Sequence, residues 1–434
     1  MVPIRPGPRK YIYDPVHGSI SLTGPTLELL SHPLLQRLWG IRQTGLAHLV
    51  FPGANHTRLE HSLGVLWVAR AMATGLGLSP QEAVPLEVAG LLHDLGHTPF
   101  SHTLEPVLEE VEGKSHEQVT SDLLRGELPL PFERFQRGIT SAPRPRSVPE
   151  VLERHGLSVR ETVDLLRARR PSSRPFRSEM LHGSVDADRL DYLQRDAHYT
   201  GVAHGFIDAN RLLETLRRDR GHLVFAEKGR PAVEGFLFAR SLMYSSVYYN
   251  KTVRIAEVML QSAVERLPEF PNVAPLLALT DGGLMGALEN AGGRAAEIAR
   301  RFELRQLYKR AWTLSWEEGT SRGRTLRRLG RDPAARRAVE DDLAEILDGP
   351  PGSALLDLAN THRGARGPLS TPSAPRDPLW IWDGGKVVDL LREGSTWAAL
   401  VDRPITPWAV GLYVPPALLG RARARRRRLL SLLD

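Results

Sequence analysis

The sequence of 434 residues contains no cysteine, and this absence excludes disulfide bonds and metal sites built on thiolates. It also fits a reducing compartment, so we expect a cytoplasmic protein. No stretch of about 18 apolar residues occurs, and residues 1–15 lack the apolar segment of a secretory signal. We therefore expect neither a membrane-spanning helix nor a membrane partner.

Hydrophobic residues make up 41% of the chain, which is enough to build a large core. Lysine and arginine outnumber aspartate and glutamate by 57 to 50, which gives a formal net charge of +7. This excess favours an anionic partner, either nucleotide phosphate or nucleic acid. A GC-rich genome that encodes arginine freely would produce the same excess, and composition does not separate the two interpretations.

Apolar and polar residues alternate over residues 10–22, which predicts a β-hairpin in an N-terminal segment, residues 1–22. Residues 23–265 carry mostly helical patterns and form the predicted core. Residues 266–434 are expected to be a mainly helical C-terminal region with a loop rich in proline and glycine near residues 349–378. The fold class predicted by these patterns is an all-α core with small β-hairpins.

Two smaller patterns concern the core and the tail. Residues 222–225 (HLVF) and the pair Ala232-Val233 are interpreted as a further hairpin. Residues 421–434 are basic first and then apolar, which is typical either of a nucleic-acid or membrane surface or of a terminal helix with packed leucines. The packed helix is preferred because no aromatic residues alternate with the arginines to stack on bases.

Two histidines and two aspartates, His61, His93, Asp94 and Asp188, predict a metal site. Imidazole and carboxylate ligands suit Mn²⁺, Fe²⁺, Zn²⁺ or Mg²⁺, and no thiolate competes with them. His93 and Asp94 end an apolar run, where an unpaired carboxylate would be costly, so a cation partner explains them. Four ligands would leave an octahedral ion with positions for a water and a phosphate oxygen, as metal-assisted phosphoester hydrolysis requires.

Three further histidines, His97, His102 and His116, follow closely, with Glu105 among them. A lone histidine is most often a hydrogen-bonded core residue, but so many in one short segment indicate a shared function. If the predicted helix continues through the doublet, His93 and His97 lie on one face. The ordinary pKa of histidine lies near neutrality, so each could exchange a proton with a phosphate or a leaving oxygen.

A later helical pattern places Asp188, Tyr192 and Asp196 on one face. Such a face could present a metal ligand, an aromatic wall and an acceptor carboxylate to one bound molecule. The alternative interpretation is that Asp191, Arg195 and Asp196 form surface ion pairs, which contribute little to stability.

Another stripe at helical spacing contains Arg240, Tyr244, Tyr248 and Lys251. Tyrosines and bases on one face would suit a polyphosphate that carries a sugar or a base. Because a tyrosine stripe alone is more often part of a core, this stripe supports a nucleotide site only together with the residues above.

These stretches together resemble the HD-domain deoxynucleoside triphosphate triphosphohydrolases, which include bacterial dGTPases and the sterile-alpha-motif/HD dNTPase. The resemblance covers roughly residues 10–255 in the family's order, and the region after about residue 265 carries little of it. The motifs that carry it are DPVHG, PLLQRLWGIRQTG, VFPGANHTRLEHSLGV, LLHDLGHTPFSH, SHEQ, DADRLDYLQRD and the segment from Arg240 to Lys251.

The resemblance implies hydrolysis of deoxynucleoside triphosphates (dNTPs) to a deoxynucleoside and inorganic triphosphate. It implies that the four metal candidates hold one divalent ion, with Mn²⁺ favoured and Fe²⁺, Zn²⁺ or Mg²⁺ left open. His102 would protonate the 5′-oxygen of the leaving nucleoside, and His97, Glu105 and His116 would assist or orient it. Glu105 departs from the family, which usually has aspartate at this position, and Asn250 stands where the family has a histidine.

The resemblance also implies how substrate is held. Arg58 would neutralise charge on the α-phosphate, while Arg189 and Arg240 would hold the outer phosphates. The ring of Tyr192 would pack where a ribose 2′-hydroxyl would project. The side chains of Gln43 and Asp196 would form hydrogen bonds to the 3′-hydroxyl. The complete predicted substrate set is Gln43, Thr44, Arg58, Arg189, Tyr192, Asp196, Arg240, Tyr248 and Lys251, with Gln43 and Asp196 on the 3′-hydroxyl.

Two other functions stay open at this point. One is an HD phosphodiesterase or 5′-nucleotidase that acts on other nucleotides; the predicted phosphate-binding arginines argue against it, because a monophosphate needs fewer cations. The other is a protein that binds nucleotides or single-stranded nucleic acid without catalysis. Members of the family often form oligomers, so a homodimer or homotetramer is expected, and weak binding of single-stranded nucleic acid is a further expectation.

Overall fold

The computed structural model of the protein describes residues 8–128, 146–167, 174–267, 273–315, 320–358, 378–392 and 410–434. Within these ranges the chain is mainly α-helical, with three small β-sheets. The predicted helical fold class with small β-structure is confirmed. No helix in the ranges given is both long and apolar enough to cross a lipid bilayer.

The described chain begins with an antiparallel hairpin, where the alternation in the sequence predicts one. Its strands are β1 (Arg9–Asp14) and β2 (Gly18–Thr23). One carboxylate oxygen of Asp14 accepts hydrogen bonds from the backbone N–H groups of Val16 and His17, at 2.9 and 2.8 Å. These bonds fix the turn and direct His17 towards the helical core.

The helices that build the core follow the hairpin. Their bounds are α1 (Gly24–Leu30), α2 (Pro33–Arg37), α3 (Arg58–Gly75), α4 (Pro80–Leu92), α5 (Glu105–Glu112), α6 (His116–Arg125), α7 (Val148–Arg154), α8 (Val159–Arg167), α9 (Pro175–His182) and α10 (Ala187–Thr200).

Capping residues explain where the site-bearing helices begin. Thr57 and Glu60 form a capping box at the start of α3, in which each side chain accepts a hydrogen bond from the other residue's backbone N–H. Asp186 caps α10 by accepting from the backbone N–H of Arg189 at 2.7 Å.

The helix that leads to His93 ends earlier than its pattern predicts. Helix α4 stops at Leu92, so the expectation that it continues through the doublet is wrong. The chain then turns, and a Cβ on Gly96 would lie 2.2 Å from the carbonyl oxygen of His116. Glycine is therefore required where this turn meets α6, and the contact places His97 beside His116.

The rest of the chain contains both helices and strands. Its helices are α11 (Ala209–Thr215), α12 (Arg230–Met243), α13 (Lys251–Val264), α14 (Val273–Leu276), α15 (Asp281–Ala291), α16 (Gly293–Glu303), α17 (Ser321–Leu329), α18 (Pro333–Ile346), α19 (Leu419–Ala424) and α20 (Arg426–Leu430). Its strands are β3 (Leu216–Asp219), β4 (His222–Ala226), β5 (Lys309–Leu314), β6 (Leu355–Asp357), β7 (Trp380–Asp383), β8 (Lys386–Asp389) and β9 (Val410–Val414).

The strands form two sheets, with orders β3-β4-β7-β8 and β5-β9-β6. The predicted hairpin at residues 222–225 exists, but its partner is β3, and Ala232 and Val233 lie in α12. Part of the predicted loop near residues 349–378 is strand β6, and residues 359–377 lie outside the described residues. The sequence therefore underestimates the β content of this region.

Hydrophobic packing continues across residue 265, the expected boundary between core and C-terminal region. One hydrophobic cluster combines Leu46, Phe100 and Ile255 of the predicted core with Leu284, Ile298 and further apolar residues of the C-terminal region. The basic tail packs as a terminal helix pair, with Leu429 and Leu433 buried in a cluster that also contains Leu326, Leu343 and Val410.

Helix α3 packs closely against α10, and Gly64 is the residue that permits the approach. A Cβ on Gly64 would lie 1.8 Å from Oδ1 of Asp191 and 2.5 Å from Nη2 of Arg195, and both side chains are fully buried. Neither can move away without breaking the hydrogen bonds between them.

We predict that Gly64→Ala lowers the free energy of unfolding by about 1–3 kcal/mol, because overpacking outweighs the better helix propensity of alanine. Gly235→Ala in α12 is the matched control, since a Cβ there would meet no atom within 4 Å. Urea unfolding should show Gly235→Ala equal to or more stable than the parent. Equal stabilities of the two variants would contradict the close packing at Gly64.

Candidate functional site

The four predicted metal ligands converge in the structure. His61 comes from α3, His93 and Asp94 follow α4, and Asp188 lies in the first turn of α10. The Nε2 atom of His61 is 3.0 Å from Oδ1 of Asp188 and 3.7 Å from Oδ2 of Asp94. The Nε2 atom of His93 is 3.1 Å from Oδ1 of Asp94 and 3.8 Å from Oδ1 of Asp188. Residues far apart in the sequence thus surround one point.

The two histidines are held with their Nε2 atoms directed at this point. The Nδ1 atom of His61 hydrogen-bonds to Oδ2 of Asp191 at 2.7 Å, and that of His93 to the carbonyl oxygen of Gly90 at 2.7 Å. Because both partners only accept, each Nδ1 carries a proton, and each Nε2 is the ring nitrogen that faces the carboxylates. Both Nε2 atoms are buried and lack a hydrogen-bond partner among the described residues. Two imidazole nitrogens facing two carboxylates fit a divalent cation.

The electrostatics of the cluster also favour a positive charge. Burial would lower the pKa of His61, but the carboxylates of Asp188 and Asp191 outweigh this effect and raise the pKa to about 10, so a cation bound at this point would replace a proton on Nε2. Burial would raise the pKa of the Asp94 carboxyl, but the charge of Arg58 lowers it well below its ordinary value. Two carboxylates therefore remain ionised around the histidines, and the cluster attracts a cation.

Asp191 orients the cluster, although the sequence suggested only a surface ion pair for it. The interpretation as a surface pair is wrong, because Asp191 and Arg195 are fully buried. Besides His61, Asp191 binds Nε2 of His17 at 2.6 Å and accepts two hydrogen bonds of 2.9 Å from the Arg195 guanidinium. Arg195 in turn donates to Asp14 of the hairpin at 2.7 Å.

A second group of histidines lies beside the metal cluster. The carboxylate of Glu105 bridges two of them, with Oε2 2.8 Å from Nδ1 of His102 and Oε1 in a short hydrogen bond to Nδ1 of His116. The His97 ring stacks on the His116 ring at 4.0 Å between centroids, and Nε2 of His97 is 3.3 Å from Oδ1 of Asp94. Glu105, which is one methylene longer than the aspartate usual in the family, therefore still contacts His102, the candidate proton donor.

Ring geometry favours proton transfer over metal binding in this second group. The ligand nitrogens of His97, His102 and His116 lie within 4.8 Å of one another, which would suit a metal by distance alone. The rings of His97 and His116 are 17° from parallel, however, so their in-plane lone pairs run side by side and do not meet.

The three histidines differ in charge. Burial and the nearby charge of Arg58 lower the pKa of His97 well below its ordinary value, and burial also lowers the pKa of His102. Burial would also lower the pKa of His116, but the charge and hydrogen bond of Glu105 outweigh this effect and raise the pKa to about 9. At neutral pH the group therefore holds one protonated histidine, paired with Glu105.

Arg58 is buried behind the metal cluster. Its Nη1 donates to Oδ2 of Asp94 at 2.5 Å, its Nε to Oγ of Ser101 at 2.8 Å, and its Nη2 to the carbonyl oxygen of Gln43 at 3.4 Å. Arg58 therefore holds a metal ligand in place, and its charge acts within the site from a fixed position.

A set of buried polar side chains is centred on Asp196, which lies on the same helix as Asp188. Asp196 is buried, with Oδ1 2.8 Å from Nε2 of His56 and Oδ2 accepting from the Tyr248 hydroxyl at 2.5 Å. The Oε1 atom of Gln43 and the Oγ1 atom of Thr44 are buried and have no hydrogen-bond partner among the described residues. Sequence reasoning identified all of these except His56.

The predicted phosphate and sugar residues are partly brought together. The Arg240 guanidinium lies 5.4 Å from the centroid of the Tyr244 ring, and Tyr248 contacts both Tyr244 and Tyr192 edge to face. Arg189, on the same helix as Tyr192, is bound to Asp186.

Lys251 does not join this group. The helical stripe that contains it is interrupted by a π-helical segment at Tyr244–Tyr248, and Asn250 caps the new helix α13. Lys251 is exposed at the start of that helix. Burial and the positive charges of Arg310 and Lys309 lower its pKa.

Comparison with known families agrees with the site geometry. Residues 58–196 match the HD domain, and residues 207–433 match a family described as HD associated region, which is more than half of the chain. The first range contains the four candidate metal ligands and the second group of histidines.

Individual relatives match most of this chain. An uncharacterized protein of Methanocaldococcus jannaschii is 34% identical over 313 residues, which cover 71% of this chain and 60% of the relative. The deoxynucleoside triphosphate triphosphohydrolase SAMHD1 of Gallus gallus is 26% identical over 356 residues, covering 69% of this chain and 55% of that protein. The chain thus spans less than two thirds of the length of these relatives.

A crystal structure of a hypothetical protein from Aquifex aeolicus superposes with a TM-score of 0.69 at 26% identity. The match covers 96% of this chain and 100% of that chain, so the two proteins share their overall fold.

We predict that the purified protein binds a divalent metal and that Asp188→Ala abolishes this binding, because the variant removes one of the two carboxylates facing the imidazoles. Elemental analysis after desalting measures the bound metal. Asp208→Ala is the control, since Asp208 is an exposed capping residue of α11. Full metal content in Asp188→Ala would refute the ligand assignment.

A second prediction concerns the protonated histidine. His116 should titrate near pH 9, and Glu105→Gln should return its pKa towards or below 6.5, because burial then acts without the compensating carboxylate. A raised pKa means that the contribution to stability is complete below about pH 6.5 and is lost as the pH rises through about 9.

Nitrogen-15 NMR of the histidine rings measures this titration, with His116→Asn identifying the resonance. His155, which pairs with Glu28 away from the site, provides a control resonance that Glu105→Gln should leave unchanged. A His116 resonance that titrates identically in the parent and in Glu105→Gln would exclude the proposed pairing.

Proposed function

The chain belongs to the HD-domain family related to the dNTP triphosphohydrolases, with an HD-associated region, and on this basis we propose that it hydrolyses dNTPs to a deoxynucleoside and inorganic triphosphate. The observation that carries the proposal is the adjacency of a candidate cation site, a histidine group suited to proton transfer and the buried polar side chains around Asp196. A phosphoester hydrolase needs the first two, and a nucleoside substrate needs the third.

His61, His93, Asp94 and Asp188 would hold the metal, with Mn²⁺ favoured over Fe²⁺, Zn²⁺ and Mg²⁺. When bound, a divalent ion polarises a phosphate oxygen and lowers the pKa of a water molecule. Arg58 and Asp191 fix the orientation of Asp94 and His61, so that the ligand set is preorganised before metal or substrate arrives.

His102 is the proposed proton donor to the 5′-oxygen of the leaving nucleoside. Its Nδ1 atom is bound to Glu105, so its Nε2 atom is the one left to meet substrate, and the side chain is about one third exposed. A triphosphate beside it would raise the pKa that burial lowers, and so favour the protonated form. His116 balances the Glu105 charge, and His97 connects this group to Asp94.

The substrate would be held by residues around the two centres. Arg189 and Arg240 are the proposed ligands of the outer phosphates. The ring of Tyr192 would exclude a 2′-hydroxyl, and Asp196 and Gln43 would bind the 3′-hydroxyl. Thr44 and Tyr248 complete the proposed set. Lys251 stays a predicted substrate ligand, although its exposed position among other cations separates it from the tyrosines.

The remaining proposals concern partners and location. A homodimer or homotetramer is proposed from the family resemblance. Weak binding of single-stranded nucleic acid is proposed for the tail, where Arg426, Arg427 and Arg428 are exposed. A cytoplasmic location is proposed as well.

We predict that the protein, incubated with Mn²⁺ and each dNTP in turn, releases a deoxynucleoside and intact triphosphate, as resolved by ion-exchange chromatography. His102→Ala should lower kcat by about 10²–10⁴-fold while metal content is unchanged, because only the proton donor is lost. His155→Ala is the matched histidine control outside the site. Release of monophosphate and pyrophosphate would contradict the proposed reaction. Hydrolysis of cyclic nucleotides or monophosphates, with dNTPs untouched, would instead favour a phosphodiesterase or 5′-nucleotidase.

A further inference from the structure

His56 is buried between two elements that the proposed function assigns to sugar binding. Its Nε2 atom lies 2.8 Å from Oδ1 of Asp196 on α10. Its backbone carbonyl oxygen accepts a hydrogen bond from the N–H of Gln43 at 3.0 Å. The His56 ring stacks on the Tyr199 ring at 4.6 Å and 22°. One residue therefore contacts both proposed ligands of the 3′-hydroxyl.

These contacts fix the orientation of the Asp196 carboxylate. A carboxylate only accepts, so Nε2 of His56 carries the proton and donates it to Oδ1. The Tyr248 hydroxyl donates to Oδ2, and burial together with the Asp196 charge raises the pKa of Tyr248, which keeps this donor protonated. Each carboxylate oxygen retains a second lone pair for a further donor.

His56 and the segment bonded to its backbone contain three polar atoms that have no hydrogen-bond partner within the described part of the chain. They are Oε1 of Gln43, Oγ1 of Thr44 and Nδ1 of His56, and all three are buried. A structural histidine in a core would normally have both ring nitrogens satisfied. Unsatisfied polar atoms next to a carboxylate held by two donors indicate a place for a hydroxyl group of a ligand.

We propose that His56 is a positioning residue that sets Asp196 and Gln43 to recognise the 3′-hydroxyl of the nucleotide sugar. The inference rests on the proposed function, because it concerns the sugar subsite of that substrate. The aspartate and the glutamine lie on separate elements, 153 residues apart, and His56 joins them through its side chain and its backbone. Loss of the side-chain contact would free the carboxylate to rotate while leaving the backbone contact in place.

The test compares a dNTP with its 2′,3′-dideoxy analogue, measured as kcat/KM in the parent and in His56 variants. His56→Phe keeps an aromatic ring against Tyr199 but removes the donor, and should reduce the preference for the 3′-hydroxyl by about tenfold or more. His56→Gln places an amide nitrogen where the ring Nε2 lies and should retain most of the preference. The side chain of His56→Asn is one methylene shorter than that of His56→Gln and cannot reach Asp196, so this variant should lose the preference for the 3′-hydroxyl. It replaces His56→Phe in the test if the phenylalanine variant does not fold.

A merely structural role predicts a different result. It would lower kcat/KM for both nucleotides by the same factor, and His56→Gln and His56→Asn would then behave alike. Either outcome overturns the inference. Asp196→Asn should by itself reduce the preference, and adding His56→Phe to it should cause no further loss.

A binding measurement separates this inference from the proposed reaction. Thermal stabilisation by the dNTP and by the dideoxy analogue is recorded for the parent and for His56→Phe. If the parent hydrolyses no dNTP but is stabilised more by the 3′-hydroxyl compound, and His56→Phe loses the difference, the reaction is refuted and the role of His56 stands. If the parent binds both compounds equally, the role of His56 is refuted even where hydrolysis occurs.

Discussion

One buried carboxylate, Asp191, ties the metal centre to the rest of the protein. It holds Nδ1 of His61 and accepts from His17 and Arg195, so it connects α3, the N-terminal hairpin and α10. Burial would raise the pKa of Asp191, but Arg195 and the histidine hydrogen bonds lower it well below its ordinary value. The acceptor therefore stays ionised, and the His61 ring keeps the orientation that a metal ligand needs. Gly64, which has no Cβ, leaves the space in which this carboxylate approaches α3.

The C-terminal region takes part in building the site. Asp281 accepts hydrogen bonds from the backbone N–H groups of Arg42 and Phe100, at 3.0 and 2.7 Å. Phe100 and Ser101 have φ angles of 58° and 56°, a left-handed conformation that costs free energy outside glycine and needs such support. Because this turn precedes His102 directly, an aspartate of the HD-associated region positions the proposed acid. This contact crosses the expected boundary at residue 265 and links the C-terminal region to the turn that carries His102.

Local signals in the sequence predicted the helices and much of the site, whereas contacts between distant residues could not be predicted. Thr57 and Asp186 are recognisable caps, and the spacing in α10 placed Tyr192 and Asp196 correctly on one helix. The roles of Asp191 and His56 depend on partners 130 and 140 residues away, which no local pattern encodes. Lys251 was misplaced on the tyrosine stripe because helical periodicity fails where the backbone forms a π-turn and restarts at Asn250. Strands β5, β6 and β9 are short and widely separated, so their pairing also left no local signal.

A bound divalent ion and the protonated His116 would place two positive charges side by side. The structure pairs each of these charges with its own carboxylates. The metal centre has Asp94 and Asp188, and the protonated His116 has Glu105. Between them lies His97, which burial and the charge of Arg58 keep neutral while its ring stacks on His116. A neutral ring at this position avoids a third cation in a buried space, where repulsion would be strong. A divalent ion and the His116 imidazolium can therefore coexist, and His102, bound to the other oxygen of Glu105, stays available as the proposed proton donor.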